Sequence, residues 1–200
     1  MPPDPRSARA GTVHGGLSGP APLIVTLLLD DEAQGRFDRL RAAHFPARPL
    51  PGARREPASG GGDGVFRLQA HVTLFHALPG EHLPDVSREL AAAAERSPFD
   101  VAVTGVRFLG RGVAIDLDAP ELTALRRGLA GAFDPWLTRQ DRQWSRPHVT
   151  VQNKVAPDVA RALHADLAAT FVAGTVAARG LGLWHYLGGP WAPAGEFGFR

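Results

Sequence analysis

The sequence predicts an α+β fold with antiparallel sheets. Short apolar or alternating runs rich in β-branched residues mark strands. Longer runs opened by Asp or Pro mark helices. A glycine-centred turn marks at least one hairpin, so strands and helices are mixed along the chain.

Ile24 to Leu29 reads as a buried strand, and Asp30 or Asp31 then caps a helix to about Ala43, with Phe37, Leu40 and His44 on one stripe. Phe66 to Leu78 alternates and reads as a strand. Asp85 to Arg96 is helical. Phe99 to Leu109 and Val113 to Leu117 are strands joined through Gly110-Arg111-Gly112. Pro120 opens a helix to about Phe133. A polar loop from Trp136 to Arg146 precedes a strand over His148 to Gln152. Ala156 to Phe171 is a helix, and Thr175 to Tyr186 and Glu196 to Phe199 are closing strands. Residues 1–20 read as a flexible tail, 21–200 as one domain, and the Pro/Gly/Arg-rich stretch 47–64 as a flexible loop within it.

With 200 residues, one large domain or two small lobes around a cleft can form. There is no cysteine, which rules out disulfides, thiolate metal sites and a cysteine nucleophile, and fits a reducing cytoplasm. The early apolar run ends at Asp30-Asp31-Glu32 and is too short to cross a bilayer; no signal peptide or membrane segment is expected. The net charge of +2 gives no case for a nucleic-acid coat, although a local basic groove is compatible with it. Gly60-Gly61-Gly62-Asp63-Gly64 lacks the ending of a phosphate loop and reads as flexibility.

Two segments repeat: Ala70-His71-Val72-Thr73-Leu74-Phe75 and Pro147-His148-Val149-Thr150-Val151-Gln152, with the histidines 77 residues apart. Each is H-V-T plus an aliphatic residue, which suggests an ancient duplication. In a strand, residues two apart share a face. His71 and Thr73 therefore project together, as do His148 and Thr150, while the valines between them turn to the core. Opening a cyclic phosphodiester requires a base to activate water on one side of phosphorus and an acid to protonate the departing ribose oxygen on the other. Two imidazoles titrating near neutrality can do both, and two threonine hydroxyls can hold the phosphate oxygens.

These tandem motifs resemble the two-histidine phosphoesterase superfamily. The run from His71 to Pro79 and the segment Tyr186-Leu187-Gly188-Gly189-Pro190-Trp191 are similar to its 2'-5' RNA ligase-like branch. The resemblance implies a bilobal α+β fold, two pseudo-symmetric lobes of antiparallel sheet with outer helices around a central groove. It also implies hydrolysis of 2',3'-cyclic or 2',5'-linked ribose phosphates, sometimes with reversible 2',5' ligation, and no cofactor or metal. His71 and His148 become the acid–base pair, leaning to His71 as acid, and Thr73 and Thr150 become phosphate binders. An RNA 3' end or a small cyclic nucleotide is the expected partner, and a cytoplasmic monomer the expected form.

Strict alternation puts Phe75 on the cleft face, to stack on a base or to pack the floor, and turns His76 away from it. Lys154 falls on the face of His148 if the strand persists; it and Arg146 are candidate phosphate binders or solvated charges. Tyr186 and Trp191 form a base platform or pack the last strands. Arg54 and Arg55 close over substrate or stay solvated. Two rival readings are a metal site built on the histidines, for which neither motif supplies a carboxylate, and a non-catalytic RNA-end or nucleotide-binding module on the same fold.

Overall fold

The computed structural model describes residues 19–46, 68–144 and 146–200, with the backbone of 48–49 and 65–66. The remainder of the 1–20 tail and of the 47–64 loop lies outside the described residues, as do Arg54 and Arg55.

Strand β1 (Leu23–Leu29) leads into helix α1 (Asp31–His44), where the Asp30 carboxylate accepts from the Ala33 amide at 2.9 Å as the N-cap. The short strands β2 (Arg48–Pro49) and β3 (Val65–Phe66) pair with each other, and β4 (Val72–Leu78) follows. The expected single strand from Phe66 to Leu78 is thus broken between β3 and β4. Helix α2 (Leu83–Ala93) precedes the hairpin of β5 (Phe99–Phe108) and β6 (Gly112–Asp118), turned by Gly110 at φ +80°. Helix α3 (Pro120–Ala132) carries Pro at its start. The expected polar loop holds a 3₁₀ turn over Asp134–Trp136 and the four-residue helix α4 (Arg139–Arg142), capped by Thr138. Strand β7 (His148–Asn153), helix α5 (Pro157–Ala169) and strands β8 (Gly174–Tyr186) and β9 (Trp191–Gly198) complete the chain. β9 starts five residues earlier than the sequence pattern indicates.

Seven strands form one antiparallel sheet in the order β1-β4-β7-β6-β5-β8-β9, and β1 also pairs with β8. The first six therefore close into a ring, and among the described residues β9 is attached through β8 alone. The long strand β8 makes closure possible: Gly174 to Ala178 pair with β5, whereas Ala178 to His185 pair with β1. The sheet thus divides into two related halves, β4-β1-β8-β9 and β7-β6-β5-β8. The chain runs β–α–β–α–β through each, as β1-α1-β4-α2-β5 and β6-α3-β7-α5-β8, leaving aside the small β2–β3 ladder and α4. The fold is α+β with antiparallel strands, as the sequence predicts, and its two related halves match the two lobes that the resemblance implies.

Fully buried Val25, Val72, Leu74, Phe75, Leu78, Val151, Leu181 and Leu183 belong to one continuous apolar core that also takes in Phe37 of α1, Val86 and Leu90 of α2, and Leu122 of α3. α1 packs on β7, and α5 on β5 and β6.

Gly112 lies where β6 crosses close to β7, and a Cβ built on it would stand 2.2 Å from the Gln152 carbonyl oxygen, a backbone atom that cannot rotate away. Gly112→Ala should therefore cost about 1–3 kcal/mol. The check is urea unfolding, where the midpoint should drop with an unchanged slope; wild-type stability would contradict the close approach.

Candidate functional site

β4 and β7 meet at one bridging pair, Val72 opposite Val149. Both valines are buried. Carried one residue either way, this register sets His71 opposite Thr150 and Thr73 opposite His148, with all four side chains on the other face. The two histidines are diagonal neighbours across the strands, with Cα atoms roughly 7–8 Å apart. The register thus sets the four motif residues on one face of the sheet, and of them His71 lines the groove described below.

The two imidazoles are held alike. His71 Nδ1 lies 2.8 Å from the Gln69 carbonyl, and His148 Nδ1 lies 3.0 Å from the Arg146 carbonyl, each two residues upstream. A carbonyl only accepts, so each Nδ1 carries the hydrogen, and Nε2 is left as the basic nitrogen when the ring is neutral. Burial pushes His71 down to about 4; the positive charges of Arg41, His76 and His148 act the same way, and the bond to Gln69 opposes them. Burial also lowers His148, helped by Arg107 and opposed by the Arg146 carbonyl and by Asp116. Asp116 is the cross-strand partner of His148 on β6, and its Oδ1 stands 2.9 Å from Arg107 Nε in an ion pair without hydrogen-bond geometry.

Both motif strands leave strict alternation immediately after their threonine. On β4 the partners step from Thr26↔Thr73 to Val25↔Phe75, and on β7 from Ala114↔Thr150 to Val113↔Gln152. Each is a β-bulge that reverses the side-chain phase beyond it. The bulge corrects the expectation for Phe75. Its ring is fully buried, 5.1 Å from that of Phe133, and cannot stack on a base. The same reversal brings His76 to the groove side. Asp141 of α4 anchors it, its Oδ1 accepting from the His76 amide at 2.7 Å and lying 3.0 Å from Nδ1, and that carboxylate is wholly buried. Lys154 is corrected too: β7 ends at Asn153, and Lys154 sits exposed in a left-handed turn at φ 61°, away from the face of His148. The Arg146 side chain is exposed, and its described contribution is the carbonyl that holds His148. Tyr186 is 38% exposed at the end of β8, opposite Trp191.

Several groups in and behind the site escaped the sequence reading. Arg41 is buried and donates from Nε to the Leu68 carbonyl at 2.8 Å and from its terminal nitrogen to the Thr150 carbonyl, tying the approach to one motif to the strand of the other. Arg126 is buried against Phe75 and donates to the carbonyls of Leu74 and Asp141 at 2.8 and 2.6 Å. Trp144 Nε1 donates to the Thr73 carbonyl at 3.2 Å. Side chains thus satisfy backbone oxygens where β4 and β7 diverge. One signal for Arg41 was available, since Ala33, Phe37 and Arg41 follow at four-residue steps on the buried face of α1. Trp191 packs on His71 with ring centres 4.6 Å apart. Beside it, Trp184 Nε1 donates to Thr26 Oγ1 at 2.9 Å, across the space left by Gly182. Thr26, Trp184 and Trp191 line, with His71, a groove of ≈ 970 Å³. Among the described residues no group of three or more His, Asp or Glu side chains is placed to hold a metal ion, and no helix is long and apolar enough to cross a membrane.

The model of the 2'-5' RNA ligase superfamily matches residues 29–190. The chain belongs to that superfamily. It is an enzyme of the cyclic phosphodiesterase/ligase type. Among solved structures, the Thermus thermophilus protein TT0787 is similar at a TM-score of 0.59 and 17% identity, over 90% of this chain and 98% of that one. E. coli LigT complexed with 3'-AMP is similar at 0.57 and 18% identity, over 90% and 99%. A structure described as a phosphoesterase is similar at 0.55 and 18%, over 90% and 99%. At these identities the likeness is one of fold. No curated protein matches.

The low pKa of His71 has a consequence for stability. An unfolded imidazole takes its proton near 6.5, and folded His71 only near 4. As pH falls below 6.5 the unfolded chain binds a proton that the folded chain does not, so stability declines until about pH 4 and the effect then levels off. Relative to His71→Asn, the wild type should lose stability between pH 6.5 and 4 and show a constant difference above pH 7. Chemical denaturation across this range measures it, and a difference independent of pH would contradict the shift.

Proposed function

We propose that this enzyme hydrolyses 2',3'-cyclic, or 2',5'-linked, ribonucleotide phosphates without a metal ion, with His71 and His148 as general base and acid. The observation that supports the reading is the pairing of Val72 with Val149, whose register puts two imidazoles of the same tautomer diagonally on one face of the sheet. A phosphate bound between them meets one Nε2 from each side, as in-line displacement requires. Thr73 and Thr150 stand beside the histidines on the same face and hold the non-bridging oxygens. E. coli LigT takes 3'-AMP on the same fold, which supports a nucleotide in this groove.

The charges around the rings favour an order of roles. His148 faces the Asp116 carboxylate, whereas His71 is near Arg41 and is the more strongly depressed of the two. His148 is therefore the easier to protonate and serves as the acid toward the leaving ribose oxygen, while His71 receives the proton of the attacking water. This reverses the lean that the resemblance gave. An RNA 3' end or a small cyclic nucleotide is the substrate, the working form is a cytoplasmic monomer, and reversible 2',5' ligation would use the same two groups in the opposite direction.

Either His71→Ala or His148→Ala should lower turnover of a 2',3'-cyclic nucleotide by about 10²-fold or more, and Thr73→Ala or Thr150→Ala by roughly 10-fold. Full activity should survive EDTA; loss reversed by added metal would favour the metal-site reading. Binding without turnover would favour the nucleotide-binding module. The order of roles is checked with a nucleoside 4-nitrophenyl phosphodiester, whose leaving group departs without a proton. His148→Ala should be largely spared on this ester and His71→Ala should not; the opposite pattern restores His71 as the acid.

A further inference from the structure

Two rows of cross-strand partners cross the second half of the sheet on the face that carries the motif residues. In one, Thr150 pairs with Ala114 and Ala114 with Arg107. In the other, His148 pairs with Asp116 and Asp116 with Gly105. Paired residues share a face. Arg107 therefore stands on the same face as both motif side chains of β7, and its ion pair with Asp116 shows this independently. Phe108, next in the strand, turns the other way, toward His164 of α5, the helix that packs on β5 and β6.

The ion pair leaves hydrogen-bonding capacity unused. Arg107 Nε lies 2.9 Å from Asp116 Oδ1, yet its N–H does not point at the carboxylate, and both atoms are buried without a hydrogen bond among the described residues. The terminal nitrogens of Arg107 make no hydrogen bond to the described residues either. A guanidinium has five donors in a planar fork, and this side chain is 28% exposed, so the fork is open to a ligand. Gly105 leaves room beside it, since a Cβ there would meet nothing within 4 Å. Polar atoms buried without partners are costly and call for an explanation. A fork of donors, held by a carboxylate and bordered by open space, suits a phosphate.

The spacing decides which phosphate. The reacting one sits between His71 and His148, over β4 and β7. Asp116 holds the guanidinium over β6, one to one and a half strand spacings farther, about 5–7 Å. This is the scale that separates successive phosphates of a ribonucleotide chain, rather than two oxygens of one phosphate. Arg107 also lies beyond His148, the acid. The oxygen that departs there belongs to the same ribose that carries the 5' oxygen, so the 5' end of that ribose is on the side of Arg107.

We propose that Arg107, positioned by Asp116, binds the 5'-phosphate of the nucleotide whose cyclic phosphate lies between His71 and His148. The substrate class is then an RNA 3' end, in which that phosphate links the preceding nucleotide, rather than a lone nucleoside cyclic phosphate. The inference rests on the hydrolytic reading above and on His148 as its acid.

The test compares turnover of adenosine 2',3'-cyclic phosphate with that of its 5'-phosphorylated form. The wild type should favour the 5'-phosphorylated substrate in kcat/KM by about 10-fold or more. Arg107→Gln should bring the ratio of the two close to one, and Arg107→Lys, which keeps the charge and loses the fork, should retain part of it. The ratio is the readout because Arg107 also bears on the charge of His148, which both substrates meet alike. A wild-type ratio near one, or a preference that survives Arg107→Gln, would overturn the assignment while leaving the hydrolytic reading intact. Binding is read separately by calorimetry with adenosine 2'-monophosphate and adenosine 2',5'-bisphosphate. Tighter binding of the bisphosphate that is lost in Arg107→Gln supports the site even if no cyclic phosphate is turned over, a result that would sink the hydrolytic reading alone. Equal wild-type affinity for the two ligands would remove the site.

Discussion

The pairing of Val72 with Val149 is the constraint on which the site depends. Antiparallel register converts one contact between two buried valines into the placement of four polar side chains. A slip of one residue would turn the histidines and threonines into the core and expose the valines. The apolar core therefore enforces the geometry of the groove. The histidines need no packing of their own to find each other, since the hydrophobic face beneath them has only one register that buries it.

Beyond this contact the two strands diverge, and the bulges after Thr73 and Thr150 are the means. Each lets two consecutive residues, Leu74-Phe75 and Val151-Gln152, be buried, and so tightens the strand against the helices while the HVT segments stay open to the groove. The carbonyls that lose strand partners are taken up by Trp144 and Arg41. Occurring at the same step in both copies, the bulges make the duplication a matter of backbone geometry as well as sequence.

The HVT pair was legible in the sequence because period-two alternation holds from His71 to Thr73 and from His148 to Thr150, so local pattern sufficed. Phe75 and His76 were misplaced because a bulge leaves no mark in a run such as Leu74-Phe75, where either phase buries an apolar residue. Lys154 was misplaced because the strand ends one residue before it. Helix α4 escaped because four residues carry too little periodicity, although Thr138 ahead of Asp141 is a cap in retrospect. β9 was shortened because Pro193 and Gly195 break the strand pattern. Trp191 was singled out in the sequence, but its contact with His71 and the Trp184 indole beside it could not be read. They exist through the pairing of β1 with β8, segments far apart in the chain, together with the β8–β9 hairpin.

Among the described residues β9 is attached through β8 alone, which separates two tasks within one sheet. The histidines and threonines ride on strands locked on both sides, where any shift would propagate around the ring. Trp191 rides on β9, which among the described residues pairs with β8 alone, so a change there perturbs one strand pairing. Mutational drift can thus recut the surface that meets the ligand while the chemistry-bearing strands stay fixed, a division that lets one scaffold diversify in what it recognises faster than in what it does.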